Sequence, residues 1–267
     1  MSLPTGPERT GPLTGPGLAA AARTNSGPRD GNEDAFVCRP DLGLFAAIDG
    51  MGGQVGGERA AAVAREALLA SSDLLQAIRT ANEQIRELAK KEVGLRGMGC
   101  VASAVRVEDT GARIIHVGDT RVYLAGRAGC EQLTRDHTVA ARRQEDLGIS
   151  APAARGISGH NVVTRDIGGK PQKDDGWVDR IQVDLEAGDL IMLCSDGLHG
   201  AVPAADLFAR LRRARKENVP PVELVDSLVD LALKNGTKDN VTVVVARYTP
   251  GSKAWWSRDI KELFNRG

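Results

Sequence analysis

Five aspartates share one sequence context, and it is a context in which a carboxylate is costly. Asp34 in NEDA, Asp49 in AAIDGMGG, Asp119 in HVGDT, Asp196 in LCSDG and Asp239 in TKDNVT each lie at the margin of a short apolar run, beside or near Gly or Asn. Asp is a poor strand residue, and a carboxylate at a buried strand end is unfavourable unless it is paired or bound to a metal. A neighbouring Gly lets backbone carbonyls and water come close. Carboxylates gathered in one cleft repel each other, and a divalent cation removes that penalty. An all-oxygen ligand set selects hard ions such as Mg2+ or Mn2+. Taken singly, Asp-Gly and Asp-Asn are ordinary turn and cap residues; the fivefold recurrence is what points to a site. His116, His137, His160 and His199 have no zinc-ligand spacing. His137, which follows Asp136 in LTRDHT, reads as a residue that caps a helix or ties a loop.

The elements that must hold these residues follow from hydrophobic periodicity. Leu44–Ile48 is a short apolar run closed by Asp49-Gly50, as in a buried strand. Glu58–Ala70 is Ala-rich and helical in propensity. Leu74, Ile78, Ala81, Ile85 and Leu88 recur at spacings of three and four, which predicts a second, amphipathic helix. Strands are predicted over 100–107, 113–117, 122–125, 180–185 and 190–194, a further helix pair over 206–215 and 222–233, and a closing β-branched strand over 241–248. Strands in runs and helices in pairs predict an α+β fold, not strict βαβ alternation. Two antiparallel β-sheets packed as a β-sandwich and flanked by pairs of antiparallel helices would bury all of these runs.

Composition removes several alternatives. The 267 residues contain 35 Lys plus Arg and 35 Asp plus Glu. A neutral total argues against a non-specific nucleic-acid binder. No apolar run reaches the roughly 18 residues of a membrane span, and the N-terminus has no signal-peptide pattern. Four cysteines without C-x-x-C spacing read as reduced thiols. The expectation is a cytoplasmic monomer. Four prolines and four glycines in the first 17 residues predict a disordered tail over 1–22. The folded body is expected over 23–248. In the C-terminal tail, 249–267, the spacing of Trp256, Ile260 and Leu263/Phe264 predicts a short amphipathic helix, either folded back on the body or used for docking.

The ordered segments RDGNEDA (29–35), FAAIDGMGG (45–53), GMGCVASAV (97–105), HVGDTRVYL (116–124), LTRDHT (133–138), NVVTRDIGG (161–169), GDLIMLCSDGL (188–198) and GTKDNVTVVV (236–245) resemble the PP2C (PPM) family of metal-dependent serine/threonine protein phosphatases, in its bacterial form. DGxGG alone is weak; the complete ordered set is specific. The resemblance implies a dinuclear Mn2+ or Mg2+ centre between the sheets. Asp49 would bridge both ions, and the Gly50 carbonyl would ligate one. Asp196 and Asp239 would hold the other, with Asp34 and Glu33 acting largely through water. Asp119, with Asp196, would form a third, weaker metal site. Arg29 corresponds to the family's phosphate-binding arginine, and 142–159 to its flap. Met51 stands where some members carry a histidine proposed as general acid, and Thr120 replaces the commoner Ser while keeping the hydroxyl.

The implied activity is hydrolysis of phosphoserine and phosphothreonine in proteins, opposing a serine/threonine kinase. Two other readings stay open on sequence: a weak or inactive relative that only binds phosphoproteins, and a nucleotide-binding module suggested by DGMGGQVGGE, which fits neither GxGxxG nor GxxxxGKS.

Overall fold

The computed structural model describes residues 8–109, 111–150, 153, 159, 162–169 and 174–250. The predicted C-terminal helix lies outside these residues. The strands are β1 (Glu8–Arg9), β2 (Leu13–Gly15), β3 (Leu18–Asn25), β4 (Ala35–Arg39), β5 (Leu44–Met51), β6 (Gly99–Glu108), β7 (Gly111–Val117), β8 (Arg121–Gly126), β9 (Gly129–Gln132), β10 (Asp179–Asp184), β11 (Leu190–Cys194) and β12 (Val241–Tyr248). The helices are α1 (Gln54–Ala70), α2 (Leu74–Lys91), α3 (Val139–Leu147), a single turn α4 (Asp196–His199), α5 (Ala204–Lys216) and α6 (Pro221–Lys234).

The strands form two antiparallel sheets. One has seven strands in the order β1-β3-β12-β11-β8-β9, with β2 also on β3; the other has five, β10-β7-β6-β5-β4. Alternation along each strand divides its side chains between two faces. On β5, Phe45 and Ala47 pack between the sheets with Val105, Ile191, Leu193 and Val244. Leu44, Ala46 and Ile48 face the other way, against Ala61, Ala64 and Leu68 of α1 and Ile78 and Ile85 of α2. Met192, Val243 and Val245 do the same for the seven-stranded sheet against Leu207, Leu211, Leu228 and Val229 of α5 and α6. The result is the expected sandwich with a helix pair on each outer face. Ala at β5 and along α1 allows close approach of helix to sheet, which is how so few aromatics suffice.

The expected tail over 1–22 needs correction from Glu8 onward. β3 is an interior strand, fully paired with β12 from Leu18↔Tyr248 to Asn25↔Val241. Ala21 and Ala22 are completely buried. LAAAARTN has little strand propensity of its own; its pairing with the β-branched β12 decides its conformation. Gly11 and Pro12 fall between β1 and β2, and Pro16 and Gly17 between β2 and β3, where turns are required. Residues 1–7 lie outside the described residues.

Candidate metal centre

β5 does not stop before Asp49. Asp49 pairs with Val101, Gly50 with Cys100 and Met51 with Gly99 on β6. Two-residue periodicity places Asp49 on the same face as Phe45 and Ala47, the face between the sheets. Its carboxylate therefore stands at the open end of the sandwich. Gly50 is required by space: a Cβ there would lie 2.2 Å from the Gly57 carbonyl oxygen and 2.7 Å from that of Glu33. Gly50 N donates to Glu33 O at 3.2 Å, which ties the start of β4 to the end of β5.

Asp34 precedes β4 and is 5% exposed. Its Oδ2 accepts from Ser195 Oγ and from Thr242 Oγ1, both at 2.7 Å. Because the Thr242 hydroxyl donates to Asp34, Thr24 Oγ1, 2.7 Å away, must donate to Thr242. Asn32 Nδ2 donates in turn to Thr24 Oγ1 at 2.9 Å. The donor chain Asn32, Thr24, Thr242 thus runs one way, toward the carboxylate.

Asp196 opens α4 directly after β11, and Asp239 sits in the turn before β12. These two turns touch through backbone: a Cβ on Gly197 would lie 1.9 Å from Asn240 O. Asn240 locks the neighbouring chain. Its Oδ1 accepts from Glu33 N at 2.8 Å, and its Nδ2 donates to Ser26 O and Gly31 O, each at 2.9 Å. Asp239 Oδ2 accepts from Arg29 Nη2 at 2.7 Å, and Arg29 Nε donates to Lys238 O at 2.9 Å. Asp119 lies in the β7–β8 turn, and its carbonyl accepts from His199 Nε2 at 2.9 Å. Glu33 reaches toward α1, where a Cβ on Gly57 would stand 1.8 Å from its Oε2. The predicted acidic residues are brought to one end of the sandwich, with exposed Arg29 at the rim.

The electrostatics follows from this convergence. Burial pushes the Asp49 carboxyl well above the usual carboxylate range, and Asp34, Asp196, Asp119 and Asp239 push it further. Asp34 is raised to about 7, first by burial and then by Asp196 and Asp239, in spite of its two hydroxyl donors. Asp119 is raised to about 7 by burial, Asp196 and Asp136. Asp196 rises to about 6 through burial and Asp239, with Arg29 and Arg121 opposing. Glu33 is raised by burial, with Arg29 opposing.

These residues fit divalent cations. Asp196 Oδ1 is buried without a hydrogen-bond partner among the described residues, an arrangement that is unfavourable unless something positive is to meet it. Among the described residues no three His, Cys, Asp or Glu side chains enclose a point by themselves. A hard ion of the Mg2+ type suits such a set, since it is ordinarily held by one or two carboxylates and keeps water in the rest of its shell. Sequence reasoning missed the supporting groups Thr24, Asn32, Ser195, Thr242 and Asn240. The signal available was Thr242 as the one polar residue early in the buried run VTVVVA.

The fold is thus an α+β sandwich with a helix pair on each outer face and a carboxylate-lined cleft at one end, and the comparisons with known proteins give the family. The Protein phosphatase 2C family model matches residues 22–241, and the chain belongs to that family. The chain is 31% identical to the serine/threonine protein phosphatase PstP of Mycobacterium tuberculosis over 86% of its length and 45% of that protein's. It thus spans about half the length of that relative. It is 30% identical to the serine/threonine phosphatase stp of Listeria innocua, over 85% of this chain and 95% of that one. A crystal structure of the M. tuberculosis PstP superposes with a TM-score of 0.78 at 30% identity, covering 87% of this chain and 99% of that one. The PstP catalytic domain solved with two manganese ions gives a TM-score of 0.76 at 30% identity, covering 87% and 98%.

Proposed function

We propose that this chain removes phosphate from phosphoserine and phosphothreonine in proteins, with two Mn2+ or Mg2+ ions held at the acidic end of the sandwich. Asp49 would be shared by both ions, Asp196 and Asp239 would hold one, and the Gly50 carbonyl the other. Asp34 and Glu33 would act through water, and Asp119 with Asp196 would hold a third ion. When bound, such ions lower the pKa of water and neutralise charge on a phosphoryl group.

The chain's own residues supply orientation. Arg29 spends its Nε and one Nη2 hydrogen on Lys238 O and Asp239 Oδ2. Its remaining N–H donors are available to fork a phosphate at the rim. Asp34 is held by Ser195 and Thr242 and cannot swing away to follow a ligand. Met51 carries no titratable proton, so it supplies none to the departing serine or threonine oxygen. Because the attacking group is water, no cysteine nucleophile is required, and the thiols are in keeping with that: burial pushes Cys38 and Cys194 to about 12. A serine/threonine kinase as the opposing enzyme, a monomeric state and a cytoplasmic location belong to the same reading. Among the described residues no helix is long and apolar enough to cross a membrane.

The observation that carries this reading is the gathering of five aspartates at one end of the sandwich, where Asp34, Asp196, Asp119 and Asp239 all raise the buried Asp49 carboxyl and Asp196 Oδ1 has no hydrogen-bond partner among the described residues. The test is hydrolysis of a phosphothreonine peptide with Mn2+ and with chelator, in wild type and in Asp49→Ala and Asp239→Ala. Activity that needs Mn2+ and is lost in both variants supports it; variants as active as wild type refute it.

A further inference from the structure

His137 occupies a junction that the reaction scheme above does not use. Its backbone N donates to Gly118 O at 2.6 Å, and Gly118 N donates back to His137 Nδ1 at 3.0 Å. The pair forms a two-bond clasp on the residue that precedes Asp119. Gly118 has φ 102, and a Cβ there would stand 2.1 Å from the Val101 side chain. The turn that aims Asp119 is thus pressed against β6 on one side and clasped by His137 on the other.

The ring's proton follows from the partners. An amide N–H can only donate, so Nδ1 must be unprotonated and the proton sits on Nε2. Nε2 faces Asp179 Oδ2 at 3.1 Å. Arg165 Nη1 donates to the other oxygen of that carboxylate at 2.8 Å. Arg165 Nη1 also lies 3.1 Å from Nε2, a contact and not a bond, since both nitrogens donate. Burial keeps the His137 pKa below the ordinary histidine value, which preserves the neutral ring. The carboxylate therefore fixes the tautomer, and the tautomer fixes Gly118.

The same stretch of backbone is tied to the segment around Thr164. Thr164 N donates to His137 O at 2.7 Å, and Val139 N to Val162 O at 2.9 Å. Thr138 caps α3 through Oγ1, which accepts from Ala141 N at 3.2 Å.

We propose that His137 is the positioning residue for Asp119. Its ring, oriented by Asp179, holds Gly118 so that the Asp119 carboxylate faces the acidic cleft, and its backbone joins that turn to Thr164. This rests on the metal-centre reading for the role of Asp119, but the clasp itself can be tested without metal.

The experiment compares wild type, His137→Asn and His137→Ala. Asn places its Oδ1 where Nδ1 stood and keeps an acceptor for Gly118 N–H; Ala removes it. In metal-free protein, amide hydrogen exchange of Gly118 is expected to be slow in wild type and Asn and at least about tenfold faster in Ala, with melting temperature followed alongside. In calorimetric Mn2+ titrations, the weakest class of sites is expected to lose about tenfold in affinity in Ala, the size typical of a lost outer-shell partner. The Asn variant is expected to keep that affinity, and the tighter sites are expected to be unchanged in all three. Unchanged Gly118 exchange in a folded Ala variant overturns the clasp. So does an Asn variant that loses protection as fully as Ala. Intact exchange behaviour with no Mn2+ binding in wild type supports the clasp while refuting the metal-centre reading.

Discussion

Replacing Asp34 by Asn should move stability and activity in opposite directions. Asp34 is buried, and its pKa is raised from 3.8 to about 7. A group whose folded-state pKa lies above its unfolded value contributes fully below the unfolded pKa and loses that contribution as pH rises through the folded one. At pH 8 the ionised carboxylate therefore costs the metal-free fold about 4 kcal/mol, from a shift of about 3 units at 1.36 kcal/mol each. At pH 5 the same linkage costs only about 2 kcal/mol. An Asn carbonyl oxygen can accept both hydroxyl hydrogens now given to Asp34 Oδ2 at 2.7 Å, so the substitution removes the charge without breaking the network. Urea unfolding in chelator is expected to show Asp34→Asn more stable than wild type at pH 8, by up to about 4 kcal/mol, with the gap shrinking toward pH 5. With Mn2+ present, wild type is expected to gain stability at pH 8 and the variant to gain less, while phosphopeptide hydrolysis by the variant falls. An Asn variant less stable than wild type in chelator at pH 8 would refute the account of Asp34 as a strained carboxylate.

Four further outcomes are expected. Gly57→Ala should ordinarily stabilise α1 by about 1 kcal/mol, but its Cβ would meet Glu33 Oε2 at 1.8 Å and Gly50 C at 2.9 Å; the melting temperature is expected not to rise and Mn2+-dependent activity to fall at least about tenfold, by analogy with lost outer-shell groups. Arg29→Ala should raise KM for phosphopeptide while leaving Mn2+ affinity near wild type, measured by steady-state kinetics and calorimetry. Thr120→Val removes the donor to Ser103 Oγ, 2.8 Å away and itself 2.9 Å from His116 Nδ1; unfolding is expected to show a loss of about 1–3 kcal/mol. Deleting residues 1–22 removes most of β3 and should abolish cooperative unfolding; a deletion variant with a sharp wild-type melt would contradict the interior position of that strand.

The sequence carried the acidic residues and the helix pairs plainly, because each leaves a local mark. Asp49 and Asp196 sit against buried aliphatic runs, and α2 shows its buried face at three- and four-residue spacing. Strand β12 was legible to the residue, since it opens on the β-branched run VTVVV, and it is buried throughout. Its partner β3 was not: LAAAARTN next to prolines reads as tail, and only pairing with β12 makes it a strand. The end of β5 was placed too early for a related reason. Asp49-Gly50 looks like a stop, yet both residues continue the ladder with β6. The amide and hydroxyl groups around Asp34 come from four separated segments, and no local pattern announces that Asn32, Thr24, Ser195 and Thr242 meet.

The carboxylates are recruited from both layers. Asp49 lies in the five-stranded sheet and Asp34 at its edge before β4, Asp196 and Asp239 flank the ends of β11 and β12 of the seven-stranded one, and Asp119 sits in the turn that crosses between them. Their repulsion therefore acts across the seam and pries at one end of the molecule, while the apolar packing between Phe45, Ile191 and Val244 holds the middle shut. On the proposed reading, cations held at that mouth would turn this repulsion into attraction and clamp the two layers together.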